Sequence, residues 1–577
     1  MRCRAWLAAP AVGAALWAVC AQARSALDYA TLTTGSYGQP VDYSAFAPDS
    51  DAAAPTNTFS GTLTLRFIGT LPHHTLIANP AYIAPEDLPT ALSWPADFSY
   101  SFVQAGDALV PTRRGAIAGS HGWWEVILEP GRVWNETGDH GFTRAAIPFS
   151  LQERNANCTH NGVLMFLFRS DGAVSRTAMQ ITSETCLYLQ ADLWALLETE
   201  YRPGAVPGSE ATVAAYRAEL RARLPRRTLA QLHTVDPQLD IGALALGNAG
   251  ASTIHGLVVA GVNYASECAT RSGPYPYCDE LDLPSYSLAK SVFAAAALMR
   301  LELLRPGTQL QLISAHVPQC RGHAWAGVTF AHVLDMATGN YDSDGFEADE
   351  LDARTAAFFM APDHRGRIRF GCVAYSHRVP PGTRWVYHTS DTYVLGTALA
   401  HYLRSLPGHR HDDLYRDLVH AQIYAPLHLS ATAAVTRRSY DTVAQPFTGW
   451  GLTFQPGDIA RLGQFLAAEH GAINGRVLLD PALLARALQR DASERGLSVQ
   501  GNPGLRYQLG FWARNLRTVL GCAHDTWVPF MSGFGGISVV LFPNGVVYYN
   551  FADDAKPASF DWAIPAREVR KLGDYCQ

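Results

Sequence analysis

The segment over 287–304 constrains the fold most, because its pattern is helical and it is almost wholly apolar. It reads SLAKSVFAAAALMRLELL, and no charged side chain occurs from Ser291 to Met299. A helix that is apolar on every side must also be buried on every side. The fold must therefore be built around this helix, with a lysine at its buried start. Lysine is otherwise rare in this chain, which has only Lys290, Lys556 and Lys571.

Ser287 and Lys290 form an S-x-x-K pair at the start of that helix. Residues three apart on a helix share one face, with about 5–6 Å between their Cβ atoms. A serine hydroxyl is a weak nucleophile until a base takes its proton, and a lysine can be that base when burial lowers its pKa. The helix N-terminus also favours negative charge on the serine oxygen. The pattern is loose by itself, so it needs support from other residues.

Two later segments supply that support. Tyr387 follows a Pro-Gly turn and precedes a predicted helix, where its phenol could share a proton with Lys290 and deliver it to a leaving group. The stretch 531–536, MSGFGG, opens an apolar strand. Its glycines would let a substrate carbonyl approach the backbone, whose N–H groups can each stabilise an oxyanion by about 3–4 kcal/mol. The alternative interpretations are a half-buried structural tyrosine and an ordinary glycine-rich turn.

In this order the three segments resemble the serine β-lactamase and penicillin-binding-protein superfamily, over about residues 250–577. The resemblance is closest to its class C-like serine hydrolases, which include esterases and 6-aminohexanoate-dimer hydrolase. Supporting stretches lie at 328–339, 448–452, 458–463, 474–476 and 507–512. The resemblance implies an α/β (α+β) catalytic domain, an antiparallel sheet flanked by helices, here preceded by a β-rich N-terminal domain.

The resemblance also implies roles for single residues. Ser287 would be the acylated nucleophile, Lys290 its proton acceptor and Tyr387 the tyrosine of the family's Tyr-x-Asn element. The backbone N–H groups of Ser287 and Phe534 would form the oxyanion hole. Substrate would also be bound by the neighbouring residues Ser532, Gly533 and Thr389.

Two departures from the family pattern bear on the substrate. Thr389 stands where penicillin-recognising members carry Asn, and Met531 replaces the basic residue of their Lys-Thr-Gly or His-x-Gly element. Both changes remove polar groups that recognise penicillins or D-alanyl peptides. An ester or amide without a required carboxylate is therefore favoured over a β-lactam. The Tyr-x-Thr-x-Asp form, ending at Asp391, is closer to the dimer-hydrolase branch.

The predicted activity is that of an exported serine hydrolase acting on a small-molecule ester, amide or peptide through an acyl-enzyme. One alternative is a non-catalytic envelope binding protein that keeps a β-lactamase-like domain. Another is a D-alanyl-D-alanine carboxypeptidase or β-lactamase, which would have to tolerate Thr389 and Met531. No G-x-S-x-G occurs, so an α/β-hydrolase is disfavoured.

The N-terminus has the pattern of an export signal over 1–23. Arg2 and Arg4 precede an apolar stretch from residue 5 to 19, and Ala21-Gln22-Ala23 fits signal peptidase. The apolar stretch is shorter than the ~20 residues that span a bilayer, and no later segment is predicted to be transmembrane. A lipid anchor on Cys20 is the competing interpretation. The predicted location is secreted or periplasmic.

The cysteines agree with export, because an even number remains after the signal and exported chains form disulfides. Their spacing suggests four pairs, although eight cysteines allow 105 pairings and the sequence does not choose among them. No C-x-x-C or H-E-x-x-H motif occurs, so neither a metal site nor a cofactor is predicted. The suggested pairs are Cys158–Cys186, Cys268–Cys278, Cys320–Cys372 and Cys522–Cys576.

Composition excludes other classes of protein. Apolar residues make up 48% of the 577 and charged residues 17%, so the chain can bury a large core and is not disordered. The net charge is −6 and no long basic run occurs, so no nucleic-acid partner is predicted.

Local patterns predict the organisation along the chain. Strands are predicted over 62–68, 162–168 and 254–264, a hairpin over 537–551, and helices over 212–224, 287–304, 329–336 and 560–572. Strands at both ends of the region after 250 would meet in one sheet. The predicted domains are a signal peptide (1–23), a β-rich domain of unknown role (24–205), a helical linker (206–250) and the hydrolase-like domain (251–577).

Overall fold

A computed structural model of the chain describes residues 26–78, 83–246, 252–553 and 560–576. The predicted signal peptide lies outside the described residues. None of the helices in the described part of the chain is both long and apolar enough to cross a membrane.

The N-terminal region is a β-rich sheet, which confirms that prediction. Ten strands of the described residues pair in the order β1-β3-β4-β6-β7-β8-β9-β10-β2, with β5 on β7, and β1 also pairs with β10, so the sheet closes on itself. All of these pairings are antiparallel. The strands are β1 Ser60–Arg66, β2 His73–Ala78, β3 Ser99–Ala105, β4 Ala108–Pro111, β5 Trp124–Leu128, β6 Gly131–Trp134, β7 Thr143–Glu153, β8 Thr159–Phe168, β9 Thr177–Thr185 and β10 Gln190–Pro203.

The remaining strands of the described residues form a second sheet and two short pairs. The second sheet has the order β11-β13-β12-β23-β22-β21-β20-β19-β18, antiparallel except between β11 and β13. The strands of the second sheet are β11 Arg226–Thr228, β12 Ser252–Val259, β13 Val262–Ala265, β18 Leu497–Val499, β19 Asn502–Gln508, β20 Phe511–Asn515, β21 Trp527–Gly533, β22 Ile537–Leu541 and β23 Val547–Ala552. The two short pairs are β14 Leu283–Pro284 with β15 Thr453–Phe454, and β16 Ala472–Ile473 with β17 Arg476–Val477. As predicted, the two ends of this region meet, since β12 pairs with β23.

Helices cover both faces of the second sheet. The central one, α3 (290–304), is π-helical over Lys290–Ala295 and α-helical over Ala296–Leu304. The other helices of seven or more described residues are α1 Ser209–Ala222, α2 Leu229–Val235, α4 His364–Val373, α5 Thr389–Ser405, α6 Leu414–Tyr424, α7 Pro456–Ala467, α8 Pro481–Ala487 and α9 Ala563–Lys571. Shorter α-helical turns are Tyr29–Thr33, Leu88–Ala91, Ile313–His316, Phe330–Leu334, Ala356–Phe359 and Arg517–Leu520, and 3₁₀ turns are Tyr43–Phe46, Thr137–Asp139, Ile241–Leu244, Cys278–Glu280, Thr308–Leu310, Pro318–Cys320, His323–Trp325, Ala353–Thr355 and Ala431–Ala434.

Strand β22 shows how alternation divides the core between the two faces. Ile537 and Val539 pack with α3 in one hydrophobic cluster, whereas Val540 packs in another with Trp562 beside α9. Successive strand residues point to opposite faces, so an apolar strand with both faces covered reads as a continuous apolar run. The α3 cluster also takes in Val163 and Met165 of β8, so one core joins the two sheets.

The single strand predicted over 254–264 was wrong. The chain turns at Ala260 and Gly261, whose φ angles are 48° and 80°, and β12 and β13 pair on either side. Two successive residues at positive φ are typical of a tight hairpin turn. The turn was missed because the alternation of apolar residues continues through it. The predicted helix over 287–304 is observed as α3, and the predicted C-terminal hairpin as β22 and β23.

The segment over 206–250 contributes to both halves. Helix α1 packs against β3 and β4, while Arg226–Thr228 adds β11 to the second sheet beside β13. Leu229 and Leu232 of α2 are buried in the cluster under α9. The residues of this segment that are described are therefore part of the packed structure.

The eight cysteines form the four pairs that their spacing suggested. Sγ–Sγ distances lie between 1.92 and 2.15 Å for Cys158–Cys186, Cys268–Cys278, Cys320–Cys372 and Cys522–Cys576. Disulfides persist in oxidising compartments outside the cytoplasm, and four disulfides would be stable there.

Candidate active site

The candidate nucleophile lies at a sharp turn between a short strand and the central helix. Tyr286, after β14, has φ = 39°, a left-handed conformation that is strained for a bulky aromatic residue. Ser287 follows it and precedes α3, and its side chain is half-buried. The turn thus presents the Ser287 hydroxyl at the start of the helix while the helix itself stays in the core.

Lys290 is the buried base candidate, with 1% of its surface exposed. Its Nζ lies 2.9 Å from Ser287 Oγ, 2.8 Å from Thr389 Oγ1 and 3.3 Å from the Gly449 carbonyl oxygen. Burial lowers the pKa of Lys290 from 10.5 to about 8, while the nearby carboxylates of Glu350 and Glu347 act in the opposite direction. A lysine with this pKa is partly neutral near pH 7 and can accept the serine proton.

The ring of Tyr387 lies beside the Lys290 ammonium group. Lys290 Nζ is 4.8 Å from the centroid of the Tyr387 ring, and the ring stacks on Trp512 with centroids 5.8 Å apart. Burial, together with Tyr507 and the two glutamates, raises the pKa of Tyr387 well above 10, while its hydrogen bond with Ser287 acts to lower it. The phenol therefore stays protonated at neutral pH and is a proton donor.

Glu350 is a site residue that the sequence analysis missed. Thr389, the first residue of α5, donates its backbone N–H to Glu350 Oε2 at 2.8 Å and its hydroxyl to Glu350 Oε1. A carboxylate at a helix N-terminus is favoured by the helix dipole. Glu350 lies in a loop, 39 residues before Thr389, and no spacing in the sequence connects it with the S-x-x-K pair.

A buried histidine anchors the loop that carries Glu350. His388 Nε2 is 3.1 Å from Asp349 Oδ2, and His388 Nδ1 is 3.3 Å from Asp391 Oδ2. Although burial opposes it, the Asp391 and Asp349 carboxylates raise the pKa of His388 to about 9. The ring also stacks on Tyr375 with centroids 3.9 Å apart. This protonated bridge holds the loop against the start of α5, and thus Glu350 against Thr389.

The glycine-rich strand end lies beside the nucleophile. A Cβ built on Gly533 would be 3.1 Å from the Ser285 carbonyl oxygen, so β21 runs close to the turn before Ser287. Ser532 pairs with Ser538 in the sheet, and Phe534 follows, 40% exposed, with its ring 5.7 Å from that of Tyr286. The structure thus brings Ser287, Lys290, Tyr387 and Thr389 into contact and places Gly533 and Phe534, which follow Ser532, beside the turn that precedes Ser287.

The loop between β7 and β8 of the N-terminal sheet also reaches the nucleophile turn, through Asn157. This side chain is fully buried, and its Oδ1 accepts from the Tyr286 N–H at 2.9 Å, the Gly451 N–H at 2.8 Å and the Ser285 hydroxyl at 3.1 Å. Its Nδ2 donates to the Leu452 carbonyl oxygen at 3.2 Å. Asn157 therefore ties the strained turn to the loop whose Gly449 carbonyl accepts from Lys290.

Replacing Asn157 by alanine is expected to lower both stability and activity. The Tyr286 and Gly451 N–H groups would lose a buried acceptor, at about 1–3 kcal/mol each, and the turn before Ser287 would lose its anchor. We expect kcat/KM to fall by about 10–100-fold, since small misplacements of a reacting group have effects of that size. Thermal unfolding and hydrolysis of a p-nitrophenyl ester would be measured on the same preparation.

Asn161→Ala is the matched control for that variant. Asn161 on β8 makes the same kind of bridge between the halves, with Nδ2 2.9 Å from the Asp282 carbonyl oxygen and Oδ1 3.0 Å from the Asp282 N–H. It should lower Tm similarly while leaving kcat/KM within about threefold. Equal losses of activity in the two variants would contradict a specific role for Asn157 at the nucleophile.

The described residues contain one cluster of potential metal ligands, and its chemistry does not support a metal site. Cys158, His160 and Cys186 lie close together, but the two Sγ atoms are bonded to each other. His160 is buried against the Leu189 carbonyl oxygen at 2.9 Å, and burial lowers its pKa to about 3.

Comparisons with known proteins give a family and several distant structural likenesses. A protein named as a 6-aminohexanoate-dimer hydrolase, from Bacillus anthracis, is 16% identical with a TM-score of 0.43, over 56% of this chain and 79% of its own. A penicillin-binding protein homologue from Caulobacter crescentus is 16% identical (TM-score 0.39, 55% and 91%). EstCE1, a hydrolase with promiscuous acyltransferase activity, is also 16% identical (TM-score 0.39, 63% and 100%).

No curated protein matched the chain. The sequence model of the family described as Beta-lactamase matches residues 250–547, slightly more than half of the chain. This match confirms the resemblance stated from the motifs and the fold class that it implied, a β-lactamase-like arrangement of sheet and helices behind a β-rich N-terminal region. On the strength of that match, the chain belongs to the beta-lactamase family.

Proposed function

We propose that this protein is an exported serine hydrolase that cleaves an ester or amide bond through an acyl-enzyme on Ser287. One observation carries the proposal: the Nζ of a buried lysine, with its pKa lowered to about 8, lies 2.9 Å from the Ser287 hydroxyl oxygen. Membership of the beta-lactamase family agrees with a serine hydrolase. The four disulfides agree with a secreted or periplasmic location.

In the acylation step Lys290 accepts the Ser287 proton while Ser287 Oγ attacks the substrate carbonyl carbon. The carbonyl oxygen becomes an oxyanion, for which we assign the backbone N–H groups of Ser287 and Phe534 as donors. Tyr387 then donates its phenolic proton to the leaving alcohol or amine and regains a proton from the Lys290 ammonium. The scissile bond breaks, and the acyl group remains on Ser287.

Deacylation reverses these proton transfers with water in place of the leaving group. Water gives a proton to Lys290 as its oxygen attacks the acyl carbon, and Ser287 Oγ receives a proton as the acid departs. The enzyme returns to its starting state, and one water is consumed for each bond cleaved.

The surroundings of the nucleophile support a substrate without a required carboxylate. Met531 is 2% exposed and stands where a basic residue would hold such a group. The exposed Phe534 ring, with Tyr286 and Tyr188 beside it, offers an apolar wall near Ser287. We therefore infer an acyl or leaving group with an apolar portion, as in a short-chain or aromatic ester.

The test is the intact mass of the purified protein after incubation with p-nitrophenyl butyrate and, separately, with penicillin G. We expect release of p-nitrophenolate and an acyl adduct, mapped by peptide mass spectrometry to Ser287, with the ester. An adduct with penicillin would place the substrate among cell-wall peptides instead. Absence of both adducts and of phenolate release would overturn the proposal in favour of a non-catalytic binding protein.

A further inference from the structure

Lys290 is connected to Glu350 through one hydroxyl group. Lys290 Nζ lies 2.8 Å from Thr389 Oγ1, and that hydroxyl donates its own proton to Glu350 Oε1. In the described part of the chain, no direct ion pair joins Lys290 to a carboxylate. The chain Ser287–Lys290–Thr389–Glu350 is therefore a continuous hydrogen-bonded path from the nucleophile to a carboxylate.

We propose that Glu350 is the terminal proton acceptor of a relay in which the Thr389 hydroxyl takes a proton from Lys290 as it gives its own to Glu350. The inference rests on the proposed function, because it concerns where the proton that Lys290 takes from Ser287 goes. Once Lys290 has taken that proton, and before the relay transfer, the charges are an ammonium and a carboxylate. After the transfer they are a neutral amine and a carboxylic acid, with the hydroxyl restored and no proton released to water, and the relay runs in reverse when Lys290 returns the proton to Tyr387.

The hydrogen bonds around Lys290 fit both protonation states. As an ammonium it has three protons for three acceptors, which are Ser287 Oγ, Thr389 Oγ1 and the Gly449 carbonyl oxygen. As an amine, rotation about the Cε–Nζ bond turns its lone pair to the Ser287 hydroxyl, while two N–H groups keep the other acceptors. Lys290 can then take the serine proton.

The position of Glu350 is held independently of the relay. The Thr389 N–H donates to its second oxygen at 2.8 Å, and the preceding residue, Asp349, is bound to the buried His388. The carboxylate is therefore aimed at the Thr389 hydroxyl by contacts that do not depend on the proton's location. Such preorganisation is what a proton relay requires.

A purely electrostatic role for Glu350 makes a different prediction. Glu350 and Glu347 both act to raise the pKa of Lys290, so removal of either charge lowers that pKa and favours the neutral amine. As a neighbouring charge alone, Glu350→Gln would move the acid limb of the pH profile to lower pH and leave the plateau rate unchanged. As a relay member, it lowers the plateau.

The experiment measures the acylation rate with p-nitrophenyl butyrate across pH 5.5–9.5 for wild type and variants. We expect Glu350→Gln and Thr389→Val each to lower the plateau by about 10–100-fold, as loss of a proton-transfer group does. Thr389→Ser keeps the hydroxyl and should stay within about threefold of wild type. The double variant should be no slower than either single variant, because both break one chain.

Glu347→Gln is the matched control, since it removes a second carboxylate near Lys290 that has no place in the hydrogen-bond chain. This variant should move only the acid limb of the pH profile.

Glu350→Asp, which keeps the charge but withdraws it from Thr389, tests the relay again if Thr389→Val fails to fold. Unchanged plateaus in Glu350→Gln and Glu350→Asp would overturn the relay while wild-type acylation of Ser287 upholds the proposed function. If wild type forms no acyl-Ser287, the proposed function fails and the relay with it.

Discussion

Ser287→Ala should lower hydrolysis of p-nitrophenyl butyrate by at least about 10⁴-fold and abolish the acyl adduct. The reason is that alanine has no oxygen to attack the carbonyl, so the covalent route is closed and only binding and oxyanion stabilisation remain. Ser287 is only half-buried, and without its hydroxyl Lys290 still donates to Thr389 Oγ1 and to the Gly449 carbonyl oxygen. The fold should therefore survive the substitution. Initial rates and intact masses would be compared with wild type at matched Tm.

Ser390→Ala is the control for that substitution. Ser390 is buried one residue beyond Thr389, and among the described residues its hydroxyl has no hydrogen-bond partner. Loss of this hydroxyl should leave the rate within about twofold. If Ser287→Ala retained hydrolysis, or if the adduct mapped to another side chain, Ser287 would not be the nucleophile.

Lys290→Met should lower the acylation rate by about 10³–10⁴-fold. Methionine fills a similar volume in the core, so the change removes the base and leaves little cavity.

The hydrolysis rate of the wild-type protein should show the matching pH dependence. Burial lowers the Lys290 pKa to about 8, and only the neutral amine accepts a proton, so the rate should rise about tenfold per pH unit below that pKa and level off above it.

Lys571→Met provides the matched lysine substitution on the surface. Lys571, at the end of α9, pairs with Glu568 at 2.6 Å and is far less buried than Lys290. Its loss should change neither the plateau nor the acid limb. An active Lys290→Met enzyme, or a wild-type profile without a limb near pH 8, would rule out Lys290 as the base.

The nucleophile–base pair could be predicted because it is a local property of the chain. Ser287 and Lys290 are three positions apart, and helical geometry alone puts them on one face. The apolar run after Lys290 also required burial, and burial is what lowers the pKa of the lysine. Tyr387 was singled out by its place between a Pro-Gly turn and a predicted helix, whereas Thr389 was found through the resemblance, which supplied an order of motifs that no local rule contains.

Glu350 and Asn157 could not be found in this way. Glu350 contacts Thr389 across 39 residues, and Asn157 contacts Tyr286 across 129 residues. Nothing in the sequence around either residue indicates a contact with the nucleophile or its base. The same limit explains the error at 254–264, where alternation continued through Ala260 and Gly261 and concealed a turn.

The sequence by itself determined that a buried helix begins with a serine and a lysine, and it indicated the cysteine pairs that lie close along the chain. These follow from periodicity, burial and short loops, which act over a few tens of residues at most. Only the tertiary structure decided that the N-terminal sheet supports the nucleophile turn through Asn157 and that a carboxylate lies behind Thr389. Such contacts depend on how whole elements pack, and packing is set by the sum of many distant apolar surfaces rather than by any local pattern.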